Sequence, residues 1–561
     1  MEGKRRFINF MPAWVLFETN VIFIDLYQNL YLIATANTKK HKKKKLIWLF
    51  ALCATFATAQ QKTKLASVKW GPELEGSRRG SITDFLGYDD NAFYLSAYVK
   101  SDLLIEKLEK NLGNPQTFEF QEKDKETKEK YDLHSRHYFA NHLYVFKTNL
   151  DRDTKTTTLF AEEINSKAMV SKGKLKKLSE ITYEKRRDKG GFSVVTSPEE
   201  NYMMIIESIP TEKEENEQFN VVMLDSALNQ VWRKNLQLPY LNTLFFRQEF
   251  LVDDEGNFYV LGKLYKDKVR TRVRGEVNYL YHLLAFADHG NAKIDYEVKL
   301  SDNYITDITI DKSENGDIIC AGFYSKKGLR SIDGSFFLTL DPISKAVKAS
   351  NLKEFDIEFM TQYMTEGQEK RAKKRDEKGK DDEMFEYDLH SIIKRSDGGA
   401  MLIGEQYFIN VVTYTSGNST YTKTYYNYND IIVVNIDPAG KIEWAKKIPK
   451  RQVSVNDGGY YSSFAMAVTE AKISFIYNDH KDNLDMEKTK RLKNFNLSDR
   501  NGVVVIATID NSGKLTREVL VDNTETDVII RPKVCEQIDD THLLLFGERR
   551  KMEQFGMVTF N

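Results

Sequence analysis

IVVNIDPAGKIEWAKKIP (432–449) is the stretch on which the fold turns. An apolar run ends at Asp437, a short turn carries Gly440, and a polar-apolar alternation follows: two β-strands joined by a tight hairpin. The phrase recurs. FKTNLD (146–151), VVMLD (221–225), LLAFAD (283–288), FFLTLD (336–341) and VVIATID (504–510) also stop at an aspartate, and GMVTFN (556–561) stops at Asn561 where the next would fall. From Asp151 to Asp510 the mean spacing is about 72 residues. That is no helical-solenoid period; it suits a four-stranded propeller blade of about 40–50 residues with long loops.

Upstream of these runs lie further hairpins: FLVDDEGNFYVLGKL (250–264), ITIDKSENGDIICAGFY (308–324), IIKRSDGGAMLIGEQYF (392–408) and QIDDTHLLLFGER (537–549). With strands lettered A to D from the channel outward, the hairpins supply A and B, the aspartate runs C, and the alternating strands D. The count is seven units, the last lacking its D strand. TKLASVKWGPEL (63–74) fits the vacancy, Trp70 matching Trp232 and Trp444 in kind. The expectation is an all-β, seven-bladed β-propeller of four-stranded antiparallel blades over 61–561. An N-terminal outer strand closes it and leaves no open sheet edge.

A chain of 561 residues, 41% hydrophobic and 12% aromatic, buries a sizeable core. Its charges balance at 82 against 82 only because residues 1–59 hold nine basic and three acidic groups, leaving the remainder net −6. A mildly acidic body argues against nucleic acid as a partner. KKHKKKK (39–45), the apolar LIWLFALCATFATA (46–59) and a small-x-small site at Ala57-Thr58-Ala59 read as a signal peptide over 38–59. Residues 1–37 then read as an overextended gene start. The alternative is a first membrane helix over 15–36, which Glu18 and Asp25 oppose. Leu52 opposes a lipid anchor at Cys53. The mature protein is expected to be periplasmic, extracellular or on the cell surface, and not integral to the membrane. Cys320 and Cys535, in different blades, are too far apart to bridge.

Long loops fall at 100–140, 265–278, 409–429 and 479–502 between B and C strands, and at 353–388 between D and A. In an up-and-down blade those connections share one rim, so one rim is elaborated and the other bare, and the ligand belongs on the first. Tyr407, Tyr414, Tyr421, Tyr425, Tyr426 and Tyr428 crowd one loop, offering flat faces to a sugar or protein, or else pairing across a protruding hairpin. Lys268, Arg270, Arg272 and Arg274 would share one face of an extended strand, either gripping an anion or facing solvent. Asp84, Asp307 and Asp527, each after a threonine, would ring the channel mouth as catalytic carboxylates for glycan cleavage, or else accept hydrogen bonds from neighbouring blades. His134, His137 and His142 alternate poorly for a metal set, and no cofactor motif is present. The charged inserts 107–130 and 364–386 read as mobile loops or frayed helices. The pentapeptide YDLHS occurs twice, at 131–135 and 387–391, in what read as different strand contexts.

DDEGNFYVLG (253–262), ENGDIICAG (314–322) and SDGGAMLIG (396–404) resemble the D-x-x-G-N-x-Y-V-x-G signature of bacterial secreted β-propeller repeat proteins, the later copies departing at the tyrosine. The resemblance implies architecture and export, and leaves the ligand open. The expected function is a non-catalytic binding or scaffolding module of the bacterial envelope, with an envelope protein or glycan as partner. The alternative is a glycan-acting hydrolase or lyase.

Overall fold

The computed structural model describes residues 60–561 apart from 76–80, 100–101, 114, 124–126, 186–188, 213, 274–275, 327–331, 379–386, 396, 417–418, 470–471, 486–490, 498–499 and 551. The leader (1–37 and 38–59) lies outside the described residues.

Alternating strands that bury one face must stack those faces against one another, and here they do so cyclically. The described residues form eight antiparallel sheets of four or more strands, each running A, B, C, D in order. Seven occupy 81–119, 132–182, 191–241, 245–298, 304–354, 387–448 and 465–522; the eighth takes 529–560 and then Ala66–Trp70. One apolar core lies between each consecutive pair of sheets. An eighth core joins the last sheet to the first, packing Val534, Ile538 and Phe546 on Ile82, Phe93 and Leu95. That cyclic packing is the architecture of a β-propeller.

The count of seven is therefore corrected to eight. FKTNLD is not a C strand: it is the B strand of the second sheet, His142–Asp151. The C strand of that sheet, Thr156–Asn165, ends in asparagine, and the C strand of the first, Asp102–Glu109, ends in glutamate. Neither carries the aspartate that marks the third strands of sheets 3 to 7. Residues 100–140, read as one loop, hold the outer half of sheet 1 and the inner strand of sheet 2, Asp132–Phe139.

The aspartates recur because the turn needs them. Asp225 Oδ1 accepts the amides of Ala227 and Asn229, Asp437 those of Ala439 and Lys441, and Asp510 those of Ser512 and Lys514. Asn165 serves Lys167 and Ala168 in the same way. These are side-chain mimics of a backbone turn, and an asparagine does the job as well.

A second regularity sits on the inner strands. In five sheets the A–B register slips at the same place, between Ile82/Asp84, Leu133/Ser135, Arg247/Glu249, Ile305/Asp307 and Leu389/Ser391. Each slip places one extra residue on the A strand, a β-bulge. The glycine of the V-x-G phrase answers it: a Cβ on Gly322 would lie 2.1 Å from the Asp307 carbonyl oxygen. The Thr-Asp dipeptides at 83–84 and 306–307 are this bulge. So are both copies of YDLHS, which occupy equivalent positions in sheets 2 and 6 rather than different contexts.

Candidate functional site

Because strands run alternately up and down, A–B and C–D connections share one rim, where they are turns of six residues or fewer. The other rim carries the inserts. Residues 355–386 contain helices α1 (Ile357–Thr361) and α2 (Glu366–Glu377). Strands Ala400–Ser416 and Ser419–Ile436 run far past their sheet as a hairpin, and Gln452–Val455 adds to its edge. Residues 481–501 form the fourth insert.

Local chemistry orders each piece. Thr365 and Gln368 form a reciprocal capping box at the start of α2, and Asp356 caps α1 through the Phe359 amide. Ala372 of α2 is fully buried in the core shared with Met360 and Phe355. The segment 366–377 is thus a capped, docked helix, not the frayed one its charges suggest. In the 481–501 insert, Asn483 braces the loop from both ends of its amide, giving Nδ2 to the Lys493 carbonyl at 2.8 Å and accepting the Lys493 N–H at 2.8 Å. Asn483 Nδ2 also reaches Asp479 Oδ1, while Asp479 Oδ2 is buried with no partner.

Burial pushes the Asp479 carboxyl up to about 7, against the pull of Asn483 and the His480 amide. A carboxyl raised on folding makes the folded state the stronger proton binder, so its stability falls as pH rises from about 4 through 7. Asp479→Asn keeps an acceptor for Asn483 and cannot ionise. The expected result is a variant more stable than the parent by roughly 1–3 kcal/mol at pH 8, converging with it near pH 4, in urea titrations at both pH values. An offset equal at both would contradict this account.

The inserts enclose a cleft of about 400 Å³ over the sixth sheet. One wall is α2, where Gln368, Arg371 and Arg375 fall at helical spacing on one face. The opposite wall is the base of the hairpin, where Gln406, Phe408 and Asn410 alternate onto one face beside Asn427 and Asn429. Arg451 and Leu492 close the end, the Arg451 Nε giving a 2.9 Å hydrogen bond to Asn494. Burial lowers the Arg451 guanidinium from its ordinary value, and Arg491 nearby lowers it further. Asp430, the cleft's carboxylate, is tied to Lys447 at 2.9 Å and to the Tyr387 hydroxyl.

The tyrosines singled out in the sequence lie on the hairpin but not in the cleft. Tyr407 packs on Tyr428 across the strands at 4.6 Å, and Tyr414 stacks on Tyr421 at 5.2 Å. The Tyr414 and Tyr425 hydroxyls are 2.9 Å apart; Tyr425 and Tyr426 face the added strand at Val455 and Ser454; Lys533 donates to Tyr428 at 2.7 Å. The basic stripe is no strand: Arg270 N turns back to the Lys268 carbonyl, and Asn278 Nδ2 holds both carbonyls. Only Arg272 is in a strand, Arg272–Val273, so the expected shared face does not form. Arg274 lies outside the described residues.

The acids come from separate sheets. Asp84 and Asp307 sit at bulges of sheets 1 and 5, while Asp527 lies in the exposed connection before Ile529. Asp307 accepts the Leu389 amide of the next sheet at 3.1 Å and the Ile308 amide at 3.0 Å. This brings it beside Asp388, whose carboxyl burial and then Asp307 push up to about 6. His134 likewise reaches the next sheet, through the Phe192 carbonyl at 3.0 Å. Asp388 was hidden in the sequence inside the duplicated pentapeptide.

Fold and cleft together define a β-propeller with a polar, arginine-lined site on its elaborated rim. No family model and no curated protein matches the chain. Among solved structures it is similar to the β-propeller domain of the trilobed protease from Pyrococcus furiosus, at 9% identity over 79% of this chain and 95% of that one, with a TM-score of 0.33. It is also similar to an ulvan lyase, from a new family of polysaccharide lyase (8%, covering 80% and 96%, TM-score 0.34). A third is the periplasmic gluconolactonase of Pseudomonas aeruginosa (9%, covering 66% and 87%, TM-score 0.30). What those proteins act on is theirs; the propeller assignment here rests on the sheets and cores. Among the described residues no helix is long and apolar enough to cross a membrane.

Proposed function

We propose that this chain is an exported binding or scaffolding propeller of the bacterial envelope, a ring of eight blades sealed by its own N-terminal strand, which holds its ligand on the elaborated rim. The observation that supports the reading is the cleft, to which α2, the long hairpin and the 481–501 insert each contribute a wall. Rigid blades supply the platform, and the loops, freed from core packing, supply the contacts. Trimming the hairpin residues 409–429 to a short turn is expected to abolish capture of an envelope glycan or protein that the intact chain retains. Equal capture by both forms would sink the assignment to this rim. Export is tested at the N-terminus: the secreted protein should begin at Gln60, and a chain that keeps its leader would overturn that part.

A second reading is favoured by one observation, the raised Asp388 carboxyl beside Asp307. Burial raises both carboxyls, and two neighbouring carboxyls held above the usual range are the raw material for acid-base cleavage of a glycan. Under this reading Asp388→Asn removes turnover on a polysaccharide panel without affecting the cleft. A panel that shows no turnover with the parent protein returns the site to binding alone.

A further inference from the structure

We propose that the long hairpin of the sixth blade is a dimerisation edge, its strand 408–415 pairing antiparallel with the same strand of a second copy of this chain about a two-fold axis at Val411. The inference does not depend on what the cleft binds.

Pairing stops short on one side of that strand. Tyr387–Lys394 accompanies Ala400–Ser416 only as far as Gln406, whereas Ser419–Ile436 follows it to the turn. From Phe408 outward the other side has no strand partner among the described residues, and Ile409 to Thr413 are all exposed. Such an edge offers a row of backbone donors and acceptors to any strand that fits it.

Elsewhere the chain guards its edges. The outer strand of each of the eight sheets carries charge, from Glu119 in the first to Lys69 in the eighth, and Val170–Thr182 alone has Lys172, Lys174, Lys176 and Lys177. The hairpin has no such guard: residues 406–422 include no Asp, Glu, Lys, Arg or Pro. Its cross-strand tyrosine pairs hold it in shape beyond the blade, so the edge is presented ready-formed.

Three features select a second copy as the occupant. The first is charge. A strand laid along 408–415 finds no ion-pair partner there and must itself be uncharged, which the same segment of another copy is. The body is otherwise net acidic, so the uncharged hairpin is where two copies meet with least repulsion. The second feature is register. Pairing about Val411 sets Val411 on Val411, Ile409 opposite Thr413 and Phe408 opposite Tyr414, so β-branched and aromatic side chains meet on the two faces. Val411, 63% exposed, and Ile409 gain cover. The third is sheet size. Past Thr424, where the added strand Gln452–Val455 has ended, the hairpin is two-stranded, which is marginal in water; two hairpins joined at this edge make a sheet of four.

The test is sedimentation velocity of the full mature chain from about 1 to about 200 µM. So small an interface should give a reversible dimer with Kd on the order of 10 µM. Val411→Lys sets like charges across the axis and should weaken the dimer at least tenfold, whereas Val347→Lys, on the outer strand of sheet 5, should leave it unchanged. Both side chains are exposed, and circular dichroism of both variants should match the parent. Val411→Cys, treated with copper phenanthroline as oxidant, should cross-link into dimers, because opposed residues lie within disulfide reach. Val347→Cys should not, and the native Cys320 and Cys535 are buried and give no background. A chain that stays monomeric at about 200 µM, or a dimer that Val411→Lys leaves intact, would overturn the proposal. Cross-linking of Val411→Cys no faster than of Val347→Cys would overturn the axis at Val411.

Discussion

Lys450→Met is expected to destabilise the fold by about 3–5 kcal/mol at neutral pH, through a carboxylate left alone in the interior. Lys450 is 0% exposed and its partner Glu405 1%. The three hydrogens of the ammonium group are all placed, on Glu405 Oε1, the Tyr428 carbonyl at 3.2 Å and Gln452 Oε1 at 3.0 Å. The other Glu405 oxygen accepts the Ser463 hydroxyl at 2.8 Å, and His390 Nε2 stands 3.4 Å from it. Burial alone would raise the Glu405 carboxyl, but Lys450 and His390 outweigh burial and hold it at about 2, against 4.5 in the unfolded chain. A depressed carboxyl contributes stability that is complete above about pH 4.5 and is lost as pH falls toward 2. Methionine fills the lysine's volume and removes the charge. Burial then governs Glu405, which takes up a proton, and the deficit narrows in acid. Glu405→Leu with Lys450→Met should recover most of the loss, since a pair replaced by apolar side chains leaves no orphan. Urea midpoints at pH 7 and pH 4 for the parent, single and double variants check it. A single variant within 1 kcal/mol of the parent, or a double variant worse than the single, would refute the mechanism.

The Asx turns show why the fold was legible, and the cleft why the site was not. A turn that needs an Asx side chain writes it at a fixed place in the sequence, and Asp225, Asp341, Asp437 and Asp510 could be read off directly. The misreading came where the physics was satisfied by a different letter. Asn165 caps its turn as well as aspartate does, and the turn after Glu109 is closed by the Leu112 amide on the Glu109 carbonyl with Asn111, two residues further on, accepting the Gly113 amide. One blade vanished into an apparent loop. The bulges left a trace too, since Gly322 is required by the close approach of the A strand, but a lone glycine does not announce its cause: Gly404, at the matching place in sheet 6, lies first against the Phe323 ring of the preceding sheet. The cleft left almost none. Gln368, Asn410, Asn429, Arg451 and Leu492 come from stretches more than 100 residues apart end to end, and only the fold makes them neighbours. The tyrosines drew attention because they are dense, yet their density reflects cross-strand pairing on a hairpin that must hold itself together beyond its sheet.

Trp70→Ala is expected to cost about 3–5 kcal/mol and to release the outer strand of the last blade. Ala66–Trp70 pairs antiparallel with the final strand, Ala66 opposite Phe560 and Trp70 opposite Gly556. The indole is 6% exposed and lies against Gly556, where a Cβ would come within 2.8 Å of the ring. It belongs to the core between the seventh and eighth blades, with Val68, Leu520, Val521 and Val558. Backbone bonds alone hold this strand weakly, because each is exchanged for a bond to water. The ring's burial is what makes the pairing persist. Without it, Met552–Phe560 becomes an edge with unpaired amides, open to strand addition from another molecule. Hydrogen exchange should quicken at the Met552–Phe560 amides well before it changes at Gly502–Asp510 in the middle of the seventh blade, and self-association should rise with concentration. Trp70→Phe, which keeps a ring on Gly556, should retain most of the protection. Unaltered exchange in the final strand of the alanine variant would mean that the ring is sealed by something other than this tryptophan.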